Sequence, residues 1–262
     1  MANPTAQELS GLTAVVTGSS SGIGRAIALE LAAAGAACVV HAGRSLEKAQ
    51  AVSAEIQSLG AASTVIMADL ADAQAHERLV DEAWQWRGAV DIWINNAGAD
   101  TLTGEAGKWT FERKLEELLR IDVVATMRLA RLIGKRMKDR GSKAHSSGAI
   151  VQIGWDQAEI GQAGDSGELF AASKGAVMAF SKSLAKSLAP EVRVNCVAPG
   201  WIKTAWGEKA SQYWQDRARR ESLLDRWGTP EDVAKAVRFL VSPAASFISG
   251  QVVAVNGGWK QS

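Results

Sequence analysis

The segment Thr17-Gly18-Ser19-Ser20-Ser21-Gly22-Ile23-Gly24 constrains this chain more than any other. It sits between an apolar run, Leu12–Thr17, that reads as a buried strand, and a stretch rich in Ala and Leu, Arg25–Ala34, that reads as a helix closed by Gly35. Glycines in such a turn let the chain reverse tightly, bring backbone close to a pyrophosphate, and let the helix pack near the sheet. The helix start adds free N–H groups and the positive end of the helix dipole. A glycine turn alone says little. One placed after the first strand of a strand–helix–strand unit points to a dinucleotide.

The rest of the chain continues that unit. Short apolar runs at Ala37–His41, Thr64–Ala68, Val90–Ile94, Ala149–Ile153, Val192–Val197 and Val252–Val255 read as strands. Between them, Leu46–Leu59, Ala73–Arg87, Trp109–Lys138, Gly167–Leu188 and Glu231–Leu240 read as helices, the third of these as a short helix followed by a long one. Lys203–Leu224 is polar, rich in Trp and helical in part. Continuous apolar strands separated by helices imply a parallel sheet covered on both faces. We expect one domain over residues 1–262: a doubly wound α/β Rossmann fold of about seven strands, with a substrate-covering segment at about 203–225.

Composition narrows the function classes. Lys plus Arg is 29 and Asp plus Glu is 28, so no charge excess advertises nucleic acid or an anionic membrane. No uncharged apolar stretch is long enough to span a bilayer and no signal peptide is visible, so the expected location is the cytoplasm. Cys38 and Cys196 lie in apolar runs and read as buried free thiols. His41, His76 and His145 have no companions at ligand spacing, so no metal site is expected. There are ten tryptophans and one tyrosine, Tyr213.

Beyond the glycine turn, which has the form TGxxxGIG, the chain carries Asn95-Asn96-Ala97-Gly98 after the fourth strand and Asp69-Leu70 after the third. Pro199-Gly200-Trp201-Ile202 follows the sixth strand, and Asn256-Gly257-Gly258 lies near the end. With these motifs the chain resembles the short-chain dehydrogenase/reductase family, closely following its ketoacyl-carrier-protein reductase type, over nearly its whole length. The resemblance implies a nicotinamide dinucleotide bound by Gly18, Ser20, Ser21, Gly22, Ile23 and Gly24, by Asp69 and Leu70, and by Asn96, Ala97 and Gly98. It also implies contacts from Lys174, Pro199, Gly200, Ile202 and Thr204. Cofactor choice is legible at the second strand's end. An acidic residue there would bind a ribose 2′-OH, but the chain has His41-Ala42-Gly43-Arg44-Ser45. Arg44, with Ser45, can face a 2′-phosphate, so NADP(H) is favoured over NAD(H).

The catalytic end breaks the family pattern. The usual pair is Tyr-x-x-x-Lys, in which the phenol exchanges a proton with the substrate and the Lys holds the nicotinamide ribose. Here Phe170 stands in place of the Tyr and Lys174 is kept. Trp155 falls where the family has a Ser, and the family's Asn aligns with Val124. Substitute acids are Asp156, beside the lost Ser, or Asp100 after the NNAG turn. A carboxyl near Trp155 and Phe170 would have a raised pKa. Lys174 is a second candidate. Ser166 and Ser173 lack a paired His, which argues against a hydrolase.

Trp155, Trp201, Trp206 and Trp214 could wall a pocket for a small planar or sugar-like ligand, or the last two could simply pack a helical lid. The leading expectation is an NADP(H)-dependent oxidoreductase with a non-Tyr proton donor. The alternatives are a catalytically silent NADP(H)-binding sensor, and a lyase or isomerase using the same cleft. The resemblance also implies a dimer or tetramer, formed through the two long helices.

Overall fold

A computed structural model describes residues 7–101, 104–141 and 148–260. His145 therefore lies outside the described residues. Seven parallel strands form one sheet in the order β3-β2-β1-β4-β5-β6-β7. They are β1 (Thr13–Val16), β2 (Ala37–Ala42), β3 (Ser63–Met67), β4 (Ile92–Asn95), β5 (Gly148–Ile153), β6 (Val192–Pro199) and β7 (Val252–Val255). The helices are α1 (Gly22–Ala33), α2 (Leu46–Ser58), α3 (Ala73–Arg87), α4 (Phe111–Leu118), α5 (Thr126–Arg140), α6 (Asp165–Leu188), α7 (Ala205–Lys209), α8 (Gln212–Glu221) and α9 (Pro230–Val241). The strand and helix expectations hold, with ends shifted by a few residues.

The strands are buried on both faces because alternate residues feed two separate cores. Ala14, Val16, Ile92, Ile94 and Val151 face α1, α2 and α9, where they meet Ile27, Leu31, Ile56, Val237 and Leu240. Val15, Val39, Trp93 and Ile150 face α3, α5 and α6, where they meet Leu79, Leu129, Ile133 and Leu184. Each such leucine or isoleucine contributes about 1.5–3 kcal/mol on burial. The ends are set locally. Asp72 caps α3 by accepting from the Gln74 N–H, and Gly88 ends it with φ 77°. Thr229 and Asp232 close a reciprocal box at the start of α9.

Two features aim the chain at the C-terminal edge of the sheet. The strand order reverses between β1 and β4, which opens a crevice where their loops part in opposite directions. Between α4 and α5 the helix widens into a π segment, Leu119–Ala125. Such a bulge shifts the register of the side chains that follow it.

Candidate functional site

The glycine turn and the loop after β4 are stapled together. Thr17 Oγ1 accepts from the backbone N–H of Asn96 (2.9 Å) and Ala97 (3.0 Å). Asn96 Nδ2 donates to the carbonyls of Thr17 (2.9 Å) and Gly18 (3.2 Å). Asn96 thus holds the turn by its own amide. Gly18 has φ +64°, and a Cβ there would lie 2.8 Å from Ala97 Cα, so no other residue fits. A Cβ on Gly24 would come within 2.4 Å of Gly18 O, which explains the glycine at the first turn of α1.

A cavity of 740 Å³ runs along this edge. Gly18, Ser20, Ser21, Arg44, Ser45, Asp69, Leu70, Ala97, Gly98 and Asp100 line it, as does Asn96. Gly22 and Gly24 do not; they act through the backbone of α1. Ser21 and Ser45 begin α1 and α2 without a side-chain cap, so both helix starts keep first-turn N–H groups for an anionic ligand. The expected dinucleotide fits this groove.

His41, read from the sequence only as an unpaired histidine, is the pin of this region. Its Nδ1 accepts from the Gly18 N–H (3.0 Å) and its Nε2–H donates to Ala68 O (3.0 Å). Burial holds its pKa down at about 4, against the pull of the Ala68 carbonyl and of Asp69. A neutral His41 therefore ties the glycine turn to the end of β3. Lys48, one turn into α2, also faces the cavity beside Arg44, a second cation that the sequence reading missed.

A second cavity, of 520 Å³, adjoins Lys174. Ile23, Pro199, Gly200, Ile202 and Thr204 line it, and so do Trp155, Phe170, Trp201, Trp206 and Trp214. The aromatic pocket expected from the sequence is therefore present, with Trp227 as a further wall. Trp155 and Phe170 meet edge to face with centroids 6.2 Å apart. Trp201 packs on Trp206, Trp214 and Trp227, and its indole N–H donates to Glu221 (2.8 Å), which Arg217 also grips. Trp206 and Trp214 are wall and packing residues at once.

Two sequence expectations need correction. Val124 is 47% exposed and faces away from the site. Asp122, two residues earlier, is 1% exposed, and its Oδ2 lies 2.8 Å from Lys174 Nζ. Oδ2 lacks an aligned hydrogen-bond donor, so the contact is an ion pair and not a directed hydrogen bond. Asp122 Oδ1 accepts from the Ala99 N–H at 2.8 Å. The π segment brings Asp122 inward. The signal was available: an acid lies one turn after Leu118 and one before Thr126, on a face that is otherwise buried.

Asp156 is the second correction. It does not line the aromatic cavity. Its Oδ2 accepts from Asn256 Nδ2 (3.1 Å) beneath the Gly200 turn. Burial raises its pKa to about 6, with the Asn256 amide the largest opposing influence. The raised value was anticipated, but the carboxyl serves the turn after β7. The charged wall residues are Lys174 and Asp165, and Ser166 supplies a hydroxyl. Cys38 and Cys196 are free and buried, and burial pushes both thiols up to about 12. Among the described residues no group of side chains could hold a metal ion, and no helix is long and apolar enough to cross a membrane.

A sheet reversed between β1 and β4, a glycine turn pinned to the NNAG loop, and a lysine on α6 facing the aromatic cavity define a nicotinamide-dinucleotide type of α/β protein. Comparison with known proteins agrees. The sequence model described as enoyl-(acyl carrier protein) reductase matches residues 18–260. The 3-oxoacyl-[acyl-carrier-protein] reductase of Aquifex aeolicus is 35% identical, over 96% of this chain and 98% of that protein. A short-chain dehydrogenase of Burkholderia cenocepacia, solved in complex with NADP, superposes with a TM-score of 0.84 at 34% identity, over 96% of this chain and 98% of the other. A 7α-hydroxysteroid dehydrogenase, complexed with NADH and 7-oxo glycochenodeoxycholic acid, superposes with a TM-score of 0.86 at 30% identity, over 100% of this chain and 99% of the other. The chain belongs to the short-chain dehydrogenase/reductase family.

Proposed function

We propose that this protein is an NADP(H)-dependent oxidoreductase that works without the tyrosine acid of its family. When bound, the dinucleotide supplies or accepts hydride. The observation that carries the reading is the cation pair Arg44 and Lys48, flanking the uncapped start of α2 in a groove with no carboxylate at the end of β2. That arrangement suits a 2′-phosphate, and Arg44 can engage it through two N–H groups. Gly18, Ser20 and Ser21 would hold the pyrophosphate, Asp69 and Leu70 the adenine side, and Lys174 the nicotinamide ribose.

Lys174 is held by Asp122, which fixes its Nζ at the wall of the aromatic cavity. The aromatic cavity, walled by Trp155, Phe170, Trp201 and Trp206, would receive a small-molecule substrate. Asp165, Ser166, Thr204 and the Lys174 ammonium are wall groups able to exchange a proton with it; Asp100 faces the dinucleotide groove instead. The loss of the Tyr and Ser hydroxyls favours one other reading, a dinucleotide-binding protein without turnover. Lyase chemistry through Lys174 is disfavoured, because an amine nucleophile needs a free lone pair and Nζ lies 2.8 Å from a buried carboxylate. Homo-oligomerisation and a cytoplasmic location, which free thiols suit, belong to the same proposal.

The test is binding of NADPH and NADH followed by fluorescence, then turnover on a panel of small carbonyl compounds. Arg44→Ala with Lys48→Ala should weaken NADPH roughly tenfold or more and NADH little. Equal losses for both cofactors would remove the 2′-phosphate role. NADPH binding with no turnover on any substrate would favour the silent reading.

A further inference from the structure

The aromatic cavity has an unusual balance of groups. Six ring systems wall it: Trp155, Phe170, Trp201, Trp206, Trp214 and Trp227. It contains neither phenol nor imidazole, and its charged wall residues are Lys174 and Asp165. The charge of Lys174 is met by buried Asp122. Asp165, at the rim on the first turn of α6, has no ion-pair partner among the described residues. Asp165 is exposed at the start of α6, where the helix N-terminus partly offsets its charge, and it is the acidic group of the cavity rim.

The rings differ in what they already hold. Arg217, which is not a wall residue, stacks over Trp201 (5.5 Å) and Trp214 (5.1 Å) and fixes their planes. Among the described residues no cation lies over Trp155, Phe170 or Trp206. Ring faces carry negative potential and attract desolvated organic cations, most strongly for Trp.

Reaction chemistry points the same way. A carbonyl carbon that gains hydride leaves an alkoxide, which must take up a proton; here an indole and a phenyl ring stand in place of the two hydroxyls that serve such an oxygen. An iminium carbon that gains hydride forms one C–H bond, and the C=N π pair becomes the nitrogen lone pair. The product is a neutral amine and no proton is consumed. The replacements at Trp155 and Phe170 remove the two hydroxyls that serve a carbonyl oxygen and add ring faces that attract a cation.

The geometry points to an organic cation of the iminium type as the ligand of this cavity, packed against Trp155, Phe170 and Trp206 with Asp165 as counter-charge. The assignment rests on reading this cavity as the substrate site of a nicotinamide-dependent oxidoreductase. It is tested by calorimetry on the full chain with N-methylquinolinium, a planar cation containing a C=N bond, against methylnaphthalene, its neutral isostere. NADP+ binding is titrated on one sample, and the probes are compared on a second sample without dinucleotide, because the nicotinamide cation would itself repel a cationic probe.

The cation should bind roughly tenfold more tightly than the isostere. Asp165→Asn should weaken the cation several-fold and leave the isostere unchanged, and added salt should do the same. Trp206→Leu should narrow the ratio further. Equal affinity for the two probes, or tighter binding of the isostere, overturns the assignment. If Trp206→Leu fails to fold, the wild-type ratio and the exposed Asp165 variant decide. If NADP+ does not bind, the oxidoreductase reading fails, and the probe ratio, measured without the dinucleotide, still decides the cation site.

Discussion

The pair Asp122–Lys174 makes a quantitative prediction. Removing one member of a buried ion pair costs about 3–5 kcal/mol, because the other charge is left uncompensated. The Lys174 side chain keeps 12% exposure and Asp122 keeps 1%, so water can reach the lysine end and the low end of that range applies. Asp122→Leu also strips an acceptor from the Ala99 N–H, worth about 1 kcal/mol. The expected loss is about 4 kcal/mol for Asp122→Leu. For Lys174→Met it is about 4–5 kcal/mol, because the carboxylate left behind is the more buried partner. Asp122→Asn keeps the Oδ1 acceptor for Ala99 but still leaves the lysine uncompensated, and should cost about 3 kcal/mol. The double variant Asp122→Leu/Lys174→Met leaves no orphaned charge and should cost well under the sum of the singles, with a coupling of about 2 kcal/mol. Urea unfolding followed by circular dichroism, at one fixed protein concentration without cofactor, measures all four states. Singles that add to the double within about 0.5 kcal/mol would refute a direct energetic link between the two groups.

Asp156 and His41 predict opposing pH effects. Asp156 has its folded pKa raised from 3.8 to about 6, so the folded state holds its proton longer and stability falls as pH rises through that window, by at most about 3 kcal/mol. Asp156→Asn should therefore raise the melting temperature at neutral pH and lose that advantage below pH about 4. His41 has its folded pKa lowered from 6.5 to about 4; its contribution is present above 6.5 and lost as pH falls toward 4. His41→Ala should thus be most destabilising at neutral pH, and a penalty independent of pH would contradict a neutral, buried imidazole. Arg193 donates to the carbonyls of Leu240, Val241 and Ser242 at the end of α9 and to Ile248. Arg193→Met should cost about 2–4 kcal/mol in chemical denaturation by orphaning those carbonyls, and a loss below 1 kcal/mol would show that water replaces the guanidinium.

The periodicity of the chain made the architecture legible, because buried parallel strands are apolar on both faces and the covering helices are not. The glycine turn was legible for a different reason: Gly18 is demanded by a positive φ and a backbone contact, which leaves one residue type. Phe170 and Trp155 could be recognised as replacements because their neighbours keep the family spacing. Where spacing fails, so does the reading. Aligning the family's Asn with Val124 missed Asp122, which the π segment turns inward to Lys174. Lys48 was passed over because it lies one turn beyond the loop that carries Arg44, and His41 because its partners, Gly18 and Ala68, are distant in sequence.

By itself, then, the sequence determined the doubly wound sheet, the dinucleotide-binding turn and a phenylalanine four residues before Lys174, since each depends on residue type at fixed local spacing. Only the tertiary structure decided what stands around Lys174. Asp156 and Asp122 look equivalent along the chain, yet one is drawn under the turn after β7 and the other is turned into the site by a widened helix. That choice is made by packing between elements far apart in sequence, and it decides which carboxylate meets the lysine.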